Sequence, residues 1–584
     1  MGSRSEVAGT LGLSRIVTLH RAASPEEAVP AQPPPSPDPE ARPPVFRSAW
    51  HEVACILTLA MAPVMNSANQ GAMLLALPTI STYYGIEGAE LSWTVTSYSL
   101  VTGATMLVMA RIADIVGRKR TLLVGFTWYA LFSLVAGFMR NNIAFDAMRG
   151  IQALGGAASP SAAVGIIGVI YPASRRKNKA LATFAAGAPV GFTTGVVLAG
   201  ICTQFIGWQA IVFFFAILYG ILAIVLYFIV PSDEPAFVRV ERDLRSALNL
   251  LRSLDWLGVV LSFVGLTLLI FSISQSGGTT RGWRTPYIIV LLIVSIALIA
   301  LFVLWETRVK NPLMPMFIWR YPGFGLCMLT VACGWLDFQG VLVYFASLTF
   351  QHIRGYSDIL TTAAFLPQSL TGITINVVAA FVMDKIPGRV LMSIAMLGFL
   401  VAALLWALQP LDITYWAMTF PALAIAVVGA DFAYNVGNQF SLSAVPPHLK
   451  STAAGIFNVT TQLASSIGVA ISTAIVTSKI GNDIEHQSRE VLHRGYQYAY
   501  WFAVAVAALG LVASLFLKVG TQGGKGSKDN GELLIEKPAA AVADLERQED
   551  GGTGAVIQID GDIEPASQAV PESRISHDSE KSRT

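Results

Sequence analysis

Long apolar stretches dominate this chain and are separated by short polar segments that carry most of its charged residues. A helix that spans a membrane needs about 20 predominantly apolar residues, because each backbone polar group must find its partner inside the segment. Fourteen stretches meet that requirement, so the pattern predicts an all-α polytopic membrane protein. The predicted spans cover residues 53–78, 91–111, 121–139, 143–170, 180–201, 209–230, 255–275, 286–306, 325–349, 359–384, 389–408, 413–435, 452–478 and 498–518.

The composition leads to the same conclusion. Hydrophobic residues make up 54% of the 584 positions and charged residues only 13%, against about 25% charged residues in soluble domains. Residues 1–50 are rich in proline and residues 519–584 in small and acidic residues, so both segments are predicted to be disordered tails. The four cysteines lie inside apolar stretches, which favours a packing role over disulfide bonds.

The basic residues are distributed unevenly between the two sets of loops. If the N-terminus is cytoplasmic, the loops on that side hold 18 Lys and Arg residues and the opposite loops hold 7. Because cytoplasmic loops are enriched in Lys and Arg, this bias predicts that both termini lie in the cytoplasm. The sequence contains no recognisable transit or retention signal, so the expected location is the plasma membrane.

The loop after the second span contains ADIVGRKR, residues 113–120, between two apolar stretches. Gly117 permits a tight turn, and Asp114 at a helix end can pair with a cation or with the positive N-terminus of a neighbouring helix. Such a contact could hold the cytoplasmic side shut. Asp114, Gly117 and Arg118 are therefore predicted to form a cytoplasmic gate motif, whereas Lys119 and Arg120 are expected only to fix topology.

The fourth span contains an arginine, Arg149, in the segment RGIQALGGAA. An arginine inside a membrane is unfavourable unless it faces a wet cavity or a partner, so Arg149 is a functional candidate. The alternative is a structural anchor whose side chain reaches the outer interface. Gln152 lies one turn further and can share the same helix face.

The fifth span contains GAPVGFTTG, residues 187–195. Pro189 can bend the helix, and Gly187, Gly191 and Gly195 allow neighbouring helices to approach closely. Two interpretations fit this spacing. One is an element that lines a gate, and the other is ordinary packing of small residues.

These three segments resemble signatures of the major facilitator superfamily, in its fourteen-helix drug:proton antiporter branch. The chain is similar to fungal aminotriazole-resistance-type transporters and secondary-metabolite efflux pumps over residues 50–518. Its loop after span 2 resembles G-x-L-A-D-R-x-G-R-K, with Ala110 and Ile115 at the positions of the first glycine and the first arginine. Span 4 resembles R-x-x-Q-G-x-G-G-A, and span 5 resembles a degenerate form of the antiporter signature G-P-x-x-G-G.

The resemblance implies a major facilitator fold with two six-helix bundles, residues 51–230 and 311–518, around a midplane cavity. A linker, residues 231–310, would contain the inserted helices 7 and 8. The resemblance further implies a monomer that exports a small organic molecule in exchange for protons by alternating access, with Arg149 taking part in proton transfer. The implied partners are therefore a small-molecule substrate, protons and the lipid bilayer.

Span 1 departs from the pattern of this branch. Many fourteen-helix antiporters carry an acidic residue seven positions before A-L-P, and here residues 76–78 place Asn69 at that position. Since a neutral amide cannot carry a proton, another acid is needed. Asp337, the one charged residue of the ninth predicted span, could load and release a proton as the cavity changes its exposure. Asp431, expected nearer the cytoplasmic end of span 12, is the second candidate.

Polar and aromatic side chains within the spans are predicted to line a cavity of broad specificity. The cavity candidates are Asn69, Gln70, Tyr98, Gln152, Trp335, Phe338, Asn376 and Asn435. An alternative function is facilitated movement or uptake of a small solute such as ammonium or borate, which the missing acid at Asn69 favours. A non-transporting membrane receptor is a further alternative.

Motifs of soluble catalysis are missing from the sequence. It contains no clustered histidine motif, no phosphate-binding glycine loop and no nucleophile constellation. The sequence therefore predicts that the protein is not an enzyme and that it uses no cofactor, metal or nucleic acid partner.

Overall fold

The computed structural model describes residues 41–171, 175–231, 254–279, 282–309, 312–383, 385–446, 449–481 and 487–520. Within them the chain forms fourteen long helices in the predicted order and no β-strand. The helices are α1 Ala49–Tyr84, α2 Gly88–Val116, α3 Arg118–Gly137, α4 Asn142–Ile170, α5 Arg175–Phe205, α6 Gln209–Ile229, α7 Trp256–Gly278, α8 Pro286–Glu306, α9 Phe324–Ile353, α10 Asp358–Val382, α11 Gly388–Ala407, α12 Tyr415–Ser443, α13 Lys450–Ile480 and α14 Arg489–Leu515. The predicted all-α architecture is confirmed.

Twelve of the described helices are long and apolar enough to cross a membrane. The other two long helices are α1 and α10, and α1 carries Glu52, Asn66 and Asn69 in buried positions. Both helices pack against α5 inside the fold. Spans that face protein tolerate polar side chains that lipid-facing spans exclude. The fold is therefore that of a multi-pass helical membrane protein.

The helices form two groups, α1–α6 and α9–α14, which we call the first and second halves. In the first half α1 packs on α5, and α4 packs on α2 and α3. In the second half α11 packs on α12 and α14. The halves meet where α2 packs on α13, α5 on α10 and α1 on α9. Because successive helices alternate in direction, α1 begins and α14 ends on one side of the membrane, which we call the terminal side.

The inserted helix α7 touches both halves. Its Ser274 hydroxyl lies 3.1 Å from the Ser92 hydroxyl of α2. Its Gly277 lies so close to Thr477 of α13 that a Cβ atom at this glycine would overlap the threonine side chain. Both contacts lie toward the side opposite the termini, near the end of α7. The insertion is thus packed along the seam between α2 and α13.

The two inserted helices, α7 and α8, form a hairpin, and two acidic side chains lie at its base. Asp255 caps α7 by accepting a hydrogen bond from the Gly258 amide at 2.9 Å, and it accepts another from the Trp305 indole at 2.7 Å. Glu306 at the end of α8 accepts a hydrogen bond from the Met314 amide at 3.2 Å. The bond between Asp255 and Trp305 joins the start of α7 to the end of α8. The bond between Glu306 and Met314 joins the end of α8 to the segment that enters the second half.

The described structure extends into both segments that are predicted to be tails. Phe46, placed in the disordered N-terminal tail, is only 5% exposed and packs on Tyr171 with ring centroids 6.1 Å apart. At the other end, the Gly520 carbonyl accepts a hydrogen bond from the Gly388 amide at 2.9 Å, which caps the start of α11. The predictions of disorder for residues 1–40 and 521–584 lie outside the described residues.

Helix α12 is longer than the apolar pattern indicates. The predicted span ends at residue 435, but the helix continues to Ser443. Asn435 and Asn438 end the apolar run in the sequence, yet they lie inside the bundle, where polar side chains are tolerated. Asp431 therefore lies close to the middle of α12, and its expected position nearer the cytoplasmic end is wrong.

Candidate functional site

Arg149 lies in the interior of the first half and is 1% exposed. Its Nε atom donates a hydrogen bond to the Thr94 carbonyl of α2 at 2.8 Å, and one terminal nitrogen donates to Asn69 Oδ1 of α1 at 3.3 Å. Its guanidinium carbon lies 5.4 Å from the ring centroid of Tyr98 and 5.9 Å from that of Phe145. Backbone, amide and aromatic groups thus stabilise this buried cation.

Asn69 and Arg149, which the sequence singles out separately, are brought together by the fold. No carboxylate of the described residues lies within 4.0 Å of the Arg149 guanidinium. Sequence reasoning missed Asp146, which is half-buried one turn earlier on α4 and acts electrostatically on Arg149. Its spacing of three residues from Arg149 in the same helix was the available signal.

Tyr98 and Gln152, both predicted to line a cavity, are fully buried in the first half. The Tyr98 hydroxyl donates a hydrogen bond to Asn66 Oδ1 at 2.5 Å and lies directly against Gly156 of α4. Neither amide atom of Gln152 has a hydrogen-bond partner among the described residues. Both side chains therefore belong to the interior around Arg149 rather than to an open surface.

Three glycines of α5 lie at four-residue intervals against the backbone of α1. The pairs are Gly187 with Ala60, Gly191 with Val64 and Gly195 with Ala68. A Cβ atom at Gly187 would lie 2.9 Å from a carbonyl oxygen of α1, and those at the other two glycines would lie closer still. Helices approach this closely only where small residues face each other. The glycines thus hold two helices of the same half together.

Pro189 of the same motif faces the second half. The position of a Cβ atom at Gly372 of α10 lies 3.9 Å from Pro189 Cβ and 3.4 Å from Asp431 Oδ2. Asp431 is half-buried, and beside it the Asn435 amide donates a hydrogen bond to Asn376 Oδ1 at 3.1 Å. We call Asp431, Asn376 and Asn435 the midplane polar group. It lies where α10, which packs on α12, also packs on α5 of the opposite half.

Asp337 has a different environment. It is 0% exposed, and neither carboxylate oxygen has a hydrogen-bond partner among the described residues. It directly precedes the π-helical turn Phe338–Leu342. Gln339, two residues on, donates a hydrogen bond to Gln70 of α1 at 3.2 Å. Because each helical residue turns the chain by about 100°, Asp337 points away from that interface and into the second half.

The aromatic cavity candidates of α9 are both half-buried. Trp335 lies 5.6 Å from the Tyr434 ring, and Phe338 lies 5.9 Å from the Phe399 ring. Both partners belong to the second half. These contacts hold one edge of each candidate in the bundle and leave part of its surface accessible.

The gate motif is engaged within the first half. Gly117 has a φ of 109°, which an L-residue rarely adopts, and it separates α2 from α3. The Arg118 guanidinium lies 2.7 Å from Asp114 Oδ1, and its stem packs against Gly165 of α4. In this conformation the Asp114 carboxylate pairs with the arginine of its own motif, and the motif joins α2, α3 and α4.

Among the described residues, four hydrogen bonds join the two halves at the midplane or beyond it, toward the side opposite the termini. They run from Gln339 to Gln70 at 3.2 Å, from Ser347 to the Leu74 carbonyl at 2.9 Å, from Gln351 to the Leu75 carbonyl at 3.0 Å and from Thr362 to the Val196 carbonyl at 3.4 Å. The halves are thus held together on that side of the membrane.

Comparison with known proteins identifies the family. The family model described as Major Facilitator Superfamily matches residues 59–305 and 256–469. The chain belongs to the Major Facilitator Superfamily. The predicted resemblance is therefore confirmed, and the protein is a membrane transporter of this superfamily.

Relatives within the Major Facilitator Superfamily carry different transport names. The low affinity ammonium transporter of Saccharomyces cerevisiae is 31% identical over 468 residues, covering 80% of this chain and 88% of the relative. Efflux pump terJ of Aspergillus terreus is 28% identical over 469 residues, covering 80% and 88%. The aminotriazole resistance protein of Saccharomyces cerevisiae is 27% identical over 480 residues, covering 80% and 84%. Two of these relatives are named for transport and the third for resistance to a small molecule.

A solved structure supports the fold. The crystal structure of nucleoside transporter NupG superposes on this chain with a TM-score of 0.51 at 14% identity, covering 79% of this chain and 98% of NupG. At this identity the likeness concerns the fold alone.

Proposed function

We propose that the protein exports a small organic molecule in exchange for protons by alternating access between the two halves. The observation that carries the proposal is the midplane polar group, in which a half-buried carboxylate, Asp431, lies against Gly372 at the point where α10 also meets Pro189 of the opposite half. A carboxylate at such an interface can change its exposure to water when the halves rock. Relatives named as efflux pumps and as an aminotriazole resistance protein support the direction of transport.

The proposed orientation follows from charge. The excess of basic residues in the loops of the terminal side supports a cytoplasmic location for both termini, and we place the protein in the plasma membrane because its sequence contains no recognisable transit or retention signal. The hydrogen bonds between the halves then lie toward the outside, so this conformation is closed to the exterior. We further propose that a monomer suffices, with residues 51–230 and 311–518 as the moving bundles and residues 231–310 as the linker.

Asp431 is the preferred coupling acid because of its contacts. Asp337 is the first candidate from the sequence, but its side chain is 0% exposed, whereas Asp431 is half-buried and lies against Gly372, which also meets Pro189 of the opposite half. In the proposed cycle a proton resides on Asp431 in one orientation of the cavity, and the substrate displaces it in the other. Arg149 keeps α1, α2 and α4 together around Asn69 while the halves move.

The test of this function uses the full-length protein in proteoliposomes that contain a trapped pH-sensitive dye. Aminotriazole and a panel of antifungal compounds are added outside in turn. An antiporter that takes up a substrate releases protons from the vesicle, so we expect the lumen to become more alkaline with at least one compound. Entry of radiolabelled compound without any change in lumenal pH would exclude proton exchange.

Neutralising Asp431 separates the two candidate acids. We expect Asp431→Asn to lose substrate-driven proton movement, while Asp337→Asn and the control Asp412→Asn retain it. Asp412 is suitable as a control because its side chain is 86% exposed. Size-exclusion profiles would verify that each variant is folded. Loss of proton movement in Asp337→Asn alone would return the coupling role to that residue.

A second candidate function is facilitated movement of a small cationic solute. The observation in its favour is that a neutral amide, Asn69, occupies the position next to Arg149, together with the likeness to a yeast low affinity ammonium transporter. Counterflow of radiolabelled methylammonium with the proton gradient collapsed tests it. Counterflow in these vesicles without substrate-driven pH changes would favour the facilitator, and its absence would favour the antiporter.

A further inference from the structure

Two acidic side chains are buried together at the base of the inserted hairpin. Asp255, which precedes α7, is 6% exposed, and Glu306, which ends α8, is 3% exposed. A Cβ atom at Gly258 would lie 3.2 Å from Glu306 Oε1 and closer still to Asp255 Oδ2. Because glycine has no side chain, the two carboxyl groups face each other across one small space in front of it.

Each carboxyl group uses one of its oxygens as an acceptor for N–H donors. Asp255 Oδ1 accepts hydrogen bonds from the Gly258 amide at 2.9 Å and from the Trp305 indole at 2.7 Å. Glu306 Oε2 accepts one from the Met314 amide at 3.2 Å. The other two oxygens, Asp255 Oδ2 and Glu306 Oε1, have no hydrogen-bond partner among the described residues. Since buried polar oxygens are almost always bound by a donor, the arrangement requires a donor between them.

Basic side chains do not supply this donor. Among the described residues, no Lys, Arg or His nitrogen lies within 4.0 Å of either carboxyl group. The charged group that acts electrostatically on Glu306 is Asp255, which has the same sign. Other charged residues at this end of the helices that pack on α7, or in the described segment after α8, are exposed: Arg111, Asp114, Arg308, Arg320 and Lys450. Two carboxylates that share a buried space repel each other, so they cannot both remain ionised.

We propose that Asp255 and Glu306 bind one proton between Asp255 Oδ2 and Glu306 Oε1, as a carboxylic acid that donates a hydrogen bond to a carboxylate. The proton supplies the donor for both oxygens and leaves the pair with a single negative charge. It joins the start of α7 to the end of α8, beside the bond from Trp305. This proton site is distinct from Asp431 and goes beyond the proposed function. Only its location on the cytoplasmic side rests on the proposed orientation.

A shared proton makes the packing of the hairpin depend on pH. The folded pair holds a proton that the same two carboxyl groups release in the unfolded chain near neutral pH. Because the folded state then binds more protons than the unfolded state, the stability of the protein should fall as the pH rises. Loss of the proton leaves two like charges in the space beside Gly258 and loosens the base of the hairpin.

Thermal melting of the purified full-length protein in detergent, from about pH 5 to about pH 9, tests the site. Glu306→Gln and Asp255→Asn are matched variants, because the amide oxygen can keep the existing hydrogen bonds while the amide nitrogen donates to the remaining carboxylate at every pH. We expect each variant to melt about 2 °C above the wild type at the alkaline end, and to lose part of the wild-type decrease. The control Glu90→Gln should keep the wild-type pH profile, since Glu90 is exposed.

Two results would overturn the proposal. One is an unchanged pH profile in both amide variants. The other is stabilisation of the wild type by calcium or magnesium chloride that a chelator reverses and both variants lack, which would assign the pair to a metal ion. Gly258→Ala is a further variant, whose methyl group would separate the carboxyl groups. It should lower the melting temperature more at acidic than at alkaline pH, and an equal loss at every pH would also contradict the shared proton. Melting requires no substrate and no gradient, so its outcome is independent of proton exchange.

Discussion

Replacing Arg149 by alanine is expected to abolish transport and to lower the free energy of unfolding by about 3 kcal/mol, as when one partner of a buried polar cluster is removed. The Thr94 carbonyl and the Asn69 amide oxygen would then lose their donor in a buried site. Arg149→Lys keeps the charge, but a single ammonium cannot reproduce the planar guanidinium that contacts both acceptors and two rings. We expect this variant to fold and to transport substrate about tenfold more slowly.

Substrate flux in proteoliposomes and thermal melting of the purified protein check both Arg149 variants. Arg140→Ala is the matched control, because Arg140 is exposed in the loop before α4. Normal flux in Arg149→Ala would show that this arginine is only a structural anchor. Reduced flux in Arg149→Lys at an unchanged melting temperature would separate its role in transport from its role in packing.

Gly191→Val is expected to prevent assembly of the first half. A Cβ atom at Gly191 would overlap the Val64 backbone of α1, and a backbone cannot move aside as a flexible side chain can. Overpacking of a well-packed core commonly destabilises by about 1–3 kcal/mol, and the larger value is expected where backbone is displaced. We therefore expect little monodisperse protein after detergent extraction.

Fluorescence-detected size exclusion of tagged protein measures this effect. Val190→Leu is the control, since Val190 is the preceding residue, is 43% exposed and gains one methylene group. A monodisperse Gly191→Val variant with normal melting behaviour would contradict the packing role of the α5 glycines. Aggregation of both variants would assign the effect to the region rather than to the α1 contact.

The order and number of helices could be predicted from the sequence because lipid imposes a length and an apolar composition on each span. The limits of a span are less predictable where a helix faces protein. Asn435 and Asn438 illustrate this point, because polar residues inside a bundle resemble the start of a loop. For this reason the sequence places Asp431 near the end of α12, whereas the structure places it near the middle of that helix.

The candidate site was only partly predictable. Arg149 and Asn69 could be selected individually because each is unusual in its span, and the fold brings them within 3.3 Å. The direction in which Asp337 points depends on the rotation of α9 and on the π-helical turn after it, and neither is visible in the sequence. Asp146 does not stand out in the sequence because it lies near a helix end, where acidic residues are ordinary.

The contacts of α7 constrain how the halves can move. This helix meets α2 through a hydrogen bond between two serine hydroxyls, and it meets α13 through a glycine fitted against a threonine. A helix attached to two bodies that rotate against each other must slide along one of them. The side-chain contacts with α2, which are this hydroxyl pair and the packing of Trp93 on Phe271 at 5.9 Å, can shift more readily than a glycine interlocked with a neighbouring helix. The inserted helices should therefore travel with the second half while α7 slides over α2.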